Sequence, residues 1–169
     1  ANMALTGFTA PKILWVKNNE PENFAKIKKV MLPKDYIAYN LSGIHCTDVS
    51  DASGMILLDV KNKRWSKEML EICGLKEEQM AKIHESYEVV GNVTEKASEE
   101  TGLPTSVKVI AGGGDQAVAA VGTGTVGNGK CNVSLGTSGV VFISTDKFAV
   151  DPDNALHAFA HADGKYHFM

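Results

Sequence analysis

Between Val107 and Val121 the chain passes from an apolar, β-branched stretch through three consecutive glycines to an aspartate and then a run of small residues. No other segment constrains the fold as tightly. Val107 to Ala111 reads as a buried strand, and Gln116 to Val121 suits a helix packed close to its neighbours. Gly112, Gly113 and Gly114 between them give the backbone room to turn sharply and to approach a ligand. A strand that ends in glycines and leads into a helix is an α/β unit. In open α/β sheets ligands gather outside the carboxyl ends of the strands, which is where Asp115 stands. Asp115 can therefore cap the helix that follows it or face a ligand. The two roles are compatible, and the local sequence alone leaves both open.

The rest of the chain supports an α/β reading. Thr9 is placed to cap a helix with Pro11 in its first turn, followed by Ile13, Leu14 and Trp15. A second helix starts near Pro21 and carries Phe24 and Ile27, and a third runs from Leu32-Pro33-Lys34-Asp35 to Gly43. Thr47 to Gly54 is polar and reads as a loop before the apolar Met55 to Leu58. Ser66 offers an N-cap to a helix that Gly74 ends, Val89 to Val93 reads as a strand, and Thr94 to Thr101 as a capped helix closed by Gly102. Gly122 to Gly129 holds four glycines in eight residues and reads as a hinge or linker. Beyond it, Cys131 to Leu135 and Val140 to Ser144 form a hairpin that opens a new sheet.

The turn of that hairpin, Gly136-Thr137-Ser138-Gly139, exposes backbone N–H groups and hydroxyl donors together, as phosphate oxygens require. It lacks the P-loop lysine and does not match GxxxxGK(S/T), so by itself the pattern favours a plain hairpin turn. Other chemistries fit less well. His157 and His161 are four residues apart, yet the alternation between them looks as much like strand as helix and no HExxH is present, so no metal site is expected. Asp48 and Asp51, with Ser50 and Ser53, could hold a cation, but a capped loop explains them without one. Cys46, Cys73 and Cys131 are odd in number and widely spaced, which gives neither a disulfide framework nor a zinc site and makes a reducing cytoplasm the simplest compartment. With 44% hydrophobic and 22% charged residues and a formal charge of -3, the chain is globular in composition and offers no basic surface for nucleic acid. Neither a membrane-spanning run nor a signal peptide is expected.

Taken in series, Gly7-Phe8-Thr9-Ala10-Pro11-Lys12, Leu32-Pro33-Lys34-Asp35-Tyr36, Leu41-Ser42-Gly43 with Thr47-Asp48-Val49-Ser50-Asp51-Ala52-Ser53-Gly54, Gly112-Gly113-Gly114-Asp115-Gln116 and Ser134-Leu135-Gly136-Thr137-Ser138-Gly139-Val140 resemble the FGGY carbohydrate kinases. Phe8-Thr9-Ala10-Pro11-Lys12 points to the xylulokinases within that family. The resemblance spans the whole chain. It implies an actin-like, ribonuclease-H-like ATPase fold of two domains, with ATP phosphorylating a sugar in the cleft between them. Residues 1–126 would be the later part of the first, sugar-binding domain, and residues 127–169 a linker and the opening hairpins of the second.

On this resemblance Asp115 matches the catalytic aspartate, which shifts its reading from cap to catalyst. Gln116 matches a sugar-contacting neighbour that is Asn in many relatives, so its own contact differs in reach. Gly136, Thr137 and Ser138 match a phosphate-contacting, nucleotide-binding turn. The implied cosubstrate is ATP with Mg2+, the implied substrate a ketopentose such as D-xylulose, and a homo-oligomer is left open. The first phosphate loop and the adenosine site of such kinases have no counterpart here, so the chain reads as an excised segment that is inactive by itself. The alternatives are a kinase for glycerol, gluconate or ribulose, an actin-like nucleotide-binding module without sugar chemistry, and a purely structural α/β domain.

Overall fold

The computed structural model describes residues 2–169. Its elements run α1 (Thr9–Asn19), α2 (Pro21–Phe24), α3 (Pro33–Ser42), β1 (Cys46–Asp48), α4 (Val49–Ser53), β2 (Leu58–Asp59), β3 (Arg64–Trp65) and α5 (Lys67–Cys73). After a 3-10 turn at Glu77–Gln79 come β4 (Lys82–His84), β5 (Val89–Asn92), α6 (Glu95–Thr101), β6 (Lys108–Ile110) and α7 (Asp115–Gly122). The chain closes with β7 (Cys131–Leu135), β8 (Gly139–Thr145), β9 (Ala158–Ala160) and β10 (Tyr166–Phe168). No helix among the described residues is long and apolar enough to cross a membrane.

Local capping signals set several of these ends. Ser66 Oγ accepts the Met69 N–H at 3.3 Å to start α5, and Thr94 Oγ1 accepts the Ala97 N–H at 3.2 Å to start α6. Elsewhere tertiary packing overrides the local signal. Thr9 is the first residue of α1 and not its cap; the N-cap position is Phe8, which has no hydroxyl to offer. The Phe8 ring instead meets His157 and Phe159 edge-on, with centroids 5.3 and 6.2 Å away, while the Ala10 N–H donates to the Met55 carbonyl. Packing thus fixes where the chain enters α1. α2 stops at Phe24, leaving Ile27 outside it.

Two strand readings also change. The polar run from Thr47 to Gly54 is not a loop: it supplies the end of β1, which pairs in parallel with β4, and the short α4. Asp48 makes this work by accepting the Ser50 N–H at 2.8 Å as the N-cap of α4. β6 is half-buried and not fully enclosed, because Val109 points inward while Lys108 and Ile110 are exposed, and its partner β5 is antiparallel. The main core gathers Val49, Ala52, Met55, Leu57, Leu70 and Cys73 from α4, α5 and the segment between α4 and β2. Burying a side chain such as Met55 or Leu57 stabilises the fold by roughly 1.5–3 kcal/mol.

The expected hairpin of β7 and β8 is present and belongs to a four-stranded antiparallel sheet of order β7-β8-β10-β9. β9 lies against α4, where the Ala160 N–H donates to Ser53 Oγ at 3.0 Å. On β8, Phe142 packs with Ala162 against Ala117 and Ala120 of α7, whose small side chains allow the close approach. The His167 ring stacks on Phe142 at 4.0 Å, and its Nδ1 has no hydrogen-bond partner. Burial, reinforced by nearby His161 and only partly opposed by a hydrogen bond to the backbone carbonyl of Ala160, pushes the His167 imidazole down to about 3.

A histidine depressed in the folded state stabilises the protein fully above its ordinary pKa of about 6.5, and this contribution is lost as the pH falls toward about 3. Protonation of His167 is therefore expected to remove on the order of 2–3 kcal/mol by pH 4. His167→Phe, which keeps a ring on Phe142, should narrow the loss of stability between pH 7 and pH 4 in urea titrations. An unchanged pH dependence in the variant would contradict this account.

Candidate functional site

The turn between β6 and α7 is held from below by a buried polar network. Asp48 is completely buried and its two oxygens serve separate partners. Oδ1 pairs with Lys34 Nζ at 2.8 Å, while Oδ2 accepts hydrogen bonds from Ser50 Oγ at 2.5 Å and Ser86 Oγ at 2.6 Å. Lys34 also reaches Asp35 Oδ1 at 2.7 Å and donates to the Ala111 carbonyl at 3.2 Å. Burial works to lower the pKa of Lys34, but the Asp48 and Asp35 carboxylates outweigh it and hold the ammonium above its ordinary range.

The same network grips the glycine turn. Gly114 N–H donates to Ser50 Oγ at 3.0 Å, and Gly112 N–H to the Ser86 carbonyl at 3.1 Å. Two of the glycines are required for different reasons. Gly112 adopts φ +77, which side chains rarely tolerate, whereas a Cβ at Gly113 would lie 2.6 Å from Val118 Cγ1 and 3.2 Å from Ser50 Oγ. The turn is therefore both tightly packed and hydrogen-bonded on its inner side.

Asp115 emerges from this turn as the first residue of α7, exposed to solvent, with Gly114 in the N-cap position. Its Oδ1 accepts the Gln116 N–H at 2.8 Å, so the exposed carboxylate satisfies a free donor at the positive end of the helix. Gln116 is half-buried beside it. Capping and ligand contact are thus physically compatible at Asp115. The Gly136-Thr137-Ser138 turn lies at the tip of the β7–β8 hairpin, fully exposed and closed by the Gly136 N–H donating to the Ser138 carbonyl at 3.0 Å. Among the described residues no hydrogen bond joins it to Asp115 or Gln116; the link between them is α7, which carries Asp115 at one end and packs on β8.

A second carboxylate lies under the turn. The position a Gly114 Cβ would occupy is 3.4 Å from Asp51 Cα and 3.6 Å from Asp51 Oδ1. Burial, with Asp48, Asp35 and Asp115 adding like charge and Lys34 opposing, raises the Asp51 carboxyl to about 6. Lys34, Asp35 and Ser86 were not legible as site residues, and Ser50 was weighed only as a possible cation ligand or part of a capped loop. The signals available were the Lys34-Asp35 pair at the start of α3 and the density of short polar side chains around Asp48, which a solvated loop would also show. His157 and His161 flank β9, so the strand alternative holds for that segment.

A glycine turn thus presents a carboxylate at a helix N-terminus, and a solvent-exposed hydroxyl turn stands at the tip of the hairpin that follows. Residues 1–122 match the FGGY family of carbohydrate kinases, N-terminal domain, and the chain belongs to that family. It is 44% identical to the xylulose kinase of Escherichia coli (strain K12) over 99% of this chain and 35% of that protein, and 41% identical to the xylulose kinase of Klebsiella pneumoniae over the same shares. Among solved structures it resembles a xyloylose kinase from Brucella ovis with a TM-score of 0.94 at 44% identity, covering 99% of this chain and 35% of that one. A gluconate kinase from Lactobacillus acidophilus matches with a TM-score of 0.89 at 28% identity, covering 96% of this chain and 33% of that one. The chain spans about a third of the length of the curated relatives it matches.

The Asp51 shift gives a signed prediction. A carboxyl whose folded pKa is raised stabilises the protein fully below its ordinary pKa of about 4, and this contribution is lost as the pH rises through about 6. Asp51→Asn is therefore expected to gain roughly 1–3 kcal/mol over wild type at pH 8 but little at pH 4. Urea unfolding at the two pH values measures this, and an equal difference at both would contradict it.

Proposed function

We propose that this chain forms the central part of an ATP-dependent sugar kinase about three times its length, one that transfers the γ-phosphate of ATP to a hydroxyl of a ketopentose, D-xylulose giving D-xylulose 5-phosphate. Asp115 carries this reading: an exposed carboxylate on a turn whose inner side is fixed, within a chain of the carbohydrate-kinase family. The xylulose kinases that it resembles at 41–44% identity support the choice of sugar.

In this mechanism Asp115 accepts the proton of the sugar hydroxyl as its oxygen attacks the γ-phosphorus. The bond from that phosphorus to the β–γ bridging oxygen breaks, and ADP leaves. Gln116, one residue on, offers an amide to the sugar. The N–H groups and hydroxyls of Gly136, Thr137 and Ser138 offer donors to nucleotide phosphates. Mg2+ would arrive on the ATP and neutralise charge on its phosphates.

The boundary between the domains would fall at residues 126/127, after α7. Gly127 and Gly129 have φ of +88 and +75 with open space beside them, so the chain turns there through conformations that glycine alone adopts easily. If this segment absorbs cleft closure, alanine at Gly127 or Gly129 should lower kcat of the full-length kinase several-fold, whereas Gly122→Ala in the last turn of α7 should not. Equal kinetics for all three variants would remove the hinge role.

The central test replaces Asp115 by Asn in the full-length kinase. Asn retains the acceptor for the Gln116 N–H but cannot take a proton, so kcat with D-xylulose should fall by about 10²- to 10⁴-fold with the Tm nearly unchanged. A variant that melts normally and keeps more than about a tenth of the wild-type rate would return Asp115 to a capping role. Glycerol, gluconate and ribulose assayed beside D-xylulose check the sugar.

A further inference from the structure

The network beneath the turn makes contact with the segment bearing Asp115 through one hydroxyl at its helix end. Ser50 Oγ donates to Asp48 Oδ2 at 2.5 Å and accepts the Gly114 N–H at 3.0 Å, so the residue before Asp115 is tied through one hydroxyl to a carboxylate that is itself completely buried. The other end of the turn is tied to the same carboxylate through Lys34, which contacts Asp48 Oδ1 and the Ala111 carbonyl. Ser86 completes the set, with its hydroxyl on Asp48 and its carbonyl on the Gly112 N–H. Three backbone groups of a four-residue turn thus answer to Asp48, and the last of them sets the direction in which α7 begins.

We propose that Ser50, anchored by Asp48, is a positioning residue for Asp115: its bond to the Gly114 N–H holds the first residue of α7 where the Asp115 carboxylate can reach the sugar hydroxyl. Ser50 does not touch the substrate and acts only through the backbone. The inference rests on the reading of Asp115 as the base. Its chemical logic is that proton abstraction requires heavy atoms within hydrogen-bond reach, so a shift of about 1 Å at the helix start costs on the order of 10²-fold in rate. A hydroxyl suits the task because it donates to the carboxylate and accepts from the amide at once; neither an alanine nor a carboxylate does both.

A double-mutant cycle on the full-length kinase tests this, with kcat expressed per folded active site and the Kd for ATP measured alongside. Ser50→Ala is expected to lower kcat about 10- to 100-fold while the ATP Kd stays within about threefold. In the Asp115→Asn background the same substitution should cost less than about threefold, because the group it positions has already lost its function. If Ser50→Ala does not fold, Ser50→Cys, of similar volume but a weak donor and acceptor, carries the same expectations. An unchanged kcat in the Ser50 variant, or an equal loss in both backgrounds, overturns the positioning role while leaving Asp115 as the base. A near-wild-type rate in Asp115→Asn alone overturns both.

Discussion

The buried carboxylate of Asp48 is the constraint around which the rest of the site is arranged. Removing a charge from water costs several kcal/mol, and this is offset only when every oxygen is paired in good geometry. Asp48 meets that condition through Lys34, Ser50 and Ser86, which come from three separate stretches of the chain. Each partner is fixed in turn because leaving the carboxylate short of a donor would be expensive. Lys34 and Ser86 pass this fixity to Ala111 and Gly112, and Ser50 passes it to Gly114. A turn made largely of glycine, flexible by composition, thereby becomes one of the most constrained parts of the molecule.

What could be read from the chain follows the range of the interactions involved. The Ser66 and Thr94 caps, the glycines that end α3, α5 and α6, and the β7–β8 hairpin depend on residues a few positions apart, and those readings hold. The order of strand, glycine turn and helix around Asp115 was legible for the same reason, since these pieces are contiguous. Asp48 was not, because its meaning lies in partners 14 residues before it and 38 after it. Without them a run such as Thr47-Asp48-Val49-Ser50-Asp51 looks solvated, and only tertiary pairing converts it into β1 and α4. Thr9 fails as a cap on the same grounds: the contacts of Phe8 with His157 and Phe159 span nearly the whole chain.

The helix after the turn connects the site to the following sheet. α7 buries Ala117 and Ala120 against Phe142 and Ala162, and the absence of bulk on that face lets the helix and β8 approach closely. The next turn keeps the contact: Thr125, just beyond α7, offers its carbonyl to His161 Nε2 at 3.0 Å, and Asn132 on β7 donates to Thr123 Oγ1 at 2.8 Å. Displacing the β7–β8 hairpin would therefore press on α7, and Asp115 stands at the other end of that helix. The hairpin and the carboxylate are thus connected through α7 even though no hydrogen bond joins them.

On the proposed function, the parts of the site would carry separate tasks. Proton abstraction needs a single well-placed carboxylate, and the phosphoryl group needs donors and charge neutralisation. Neither requirement depends on which sugar presents the hydroxyl. On the function proposed above, Asp115 would supply the first and the donor-rich turn of Gly136, Thr137 and Ser138 the second, with Gln116 as the side chain that would discriminate. Gln116 differs from a shorter amide by one methylene, which moves its hydrogen-bonding group outward by about 1.5 Å along the side chain. On the proposed reading, a sugar contact made over that extra reach would depend on where the hydroxyl lies, and a change at Gln116 would leave the network beneath the turn intact.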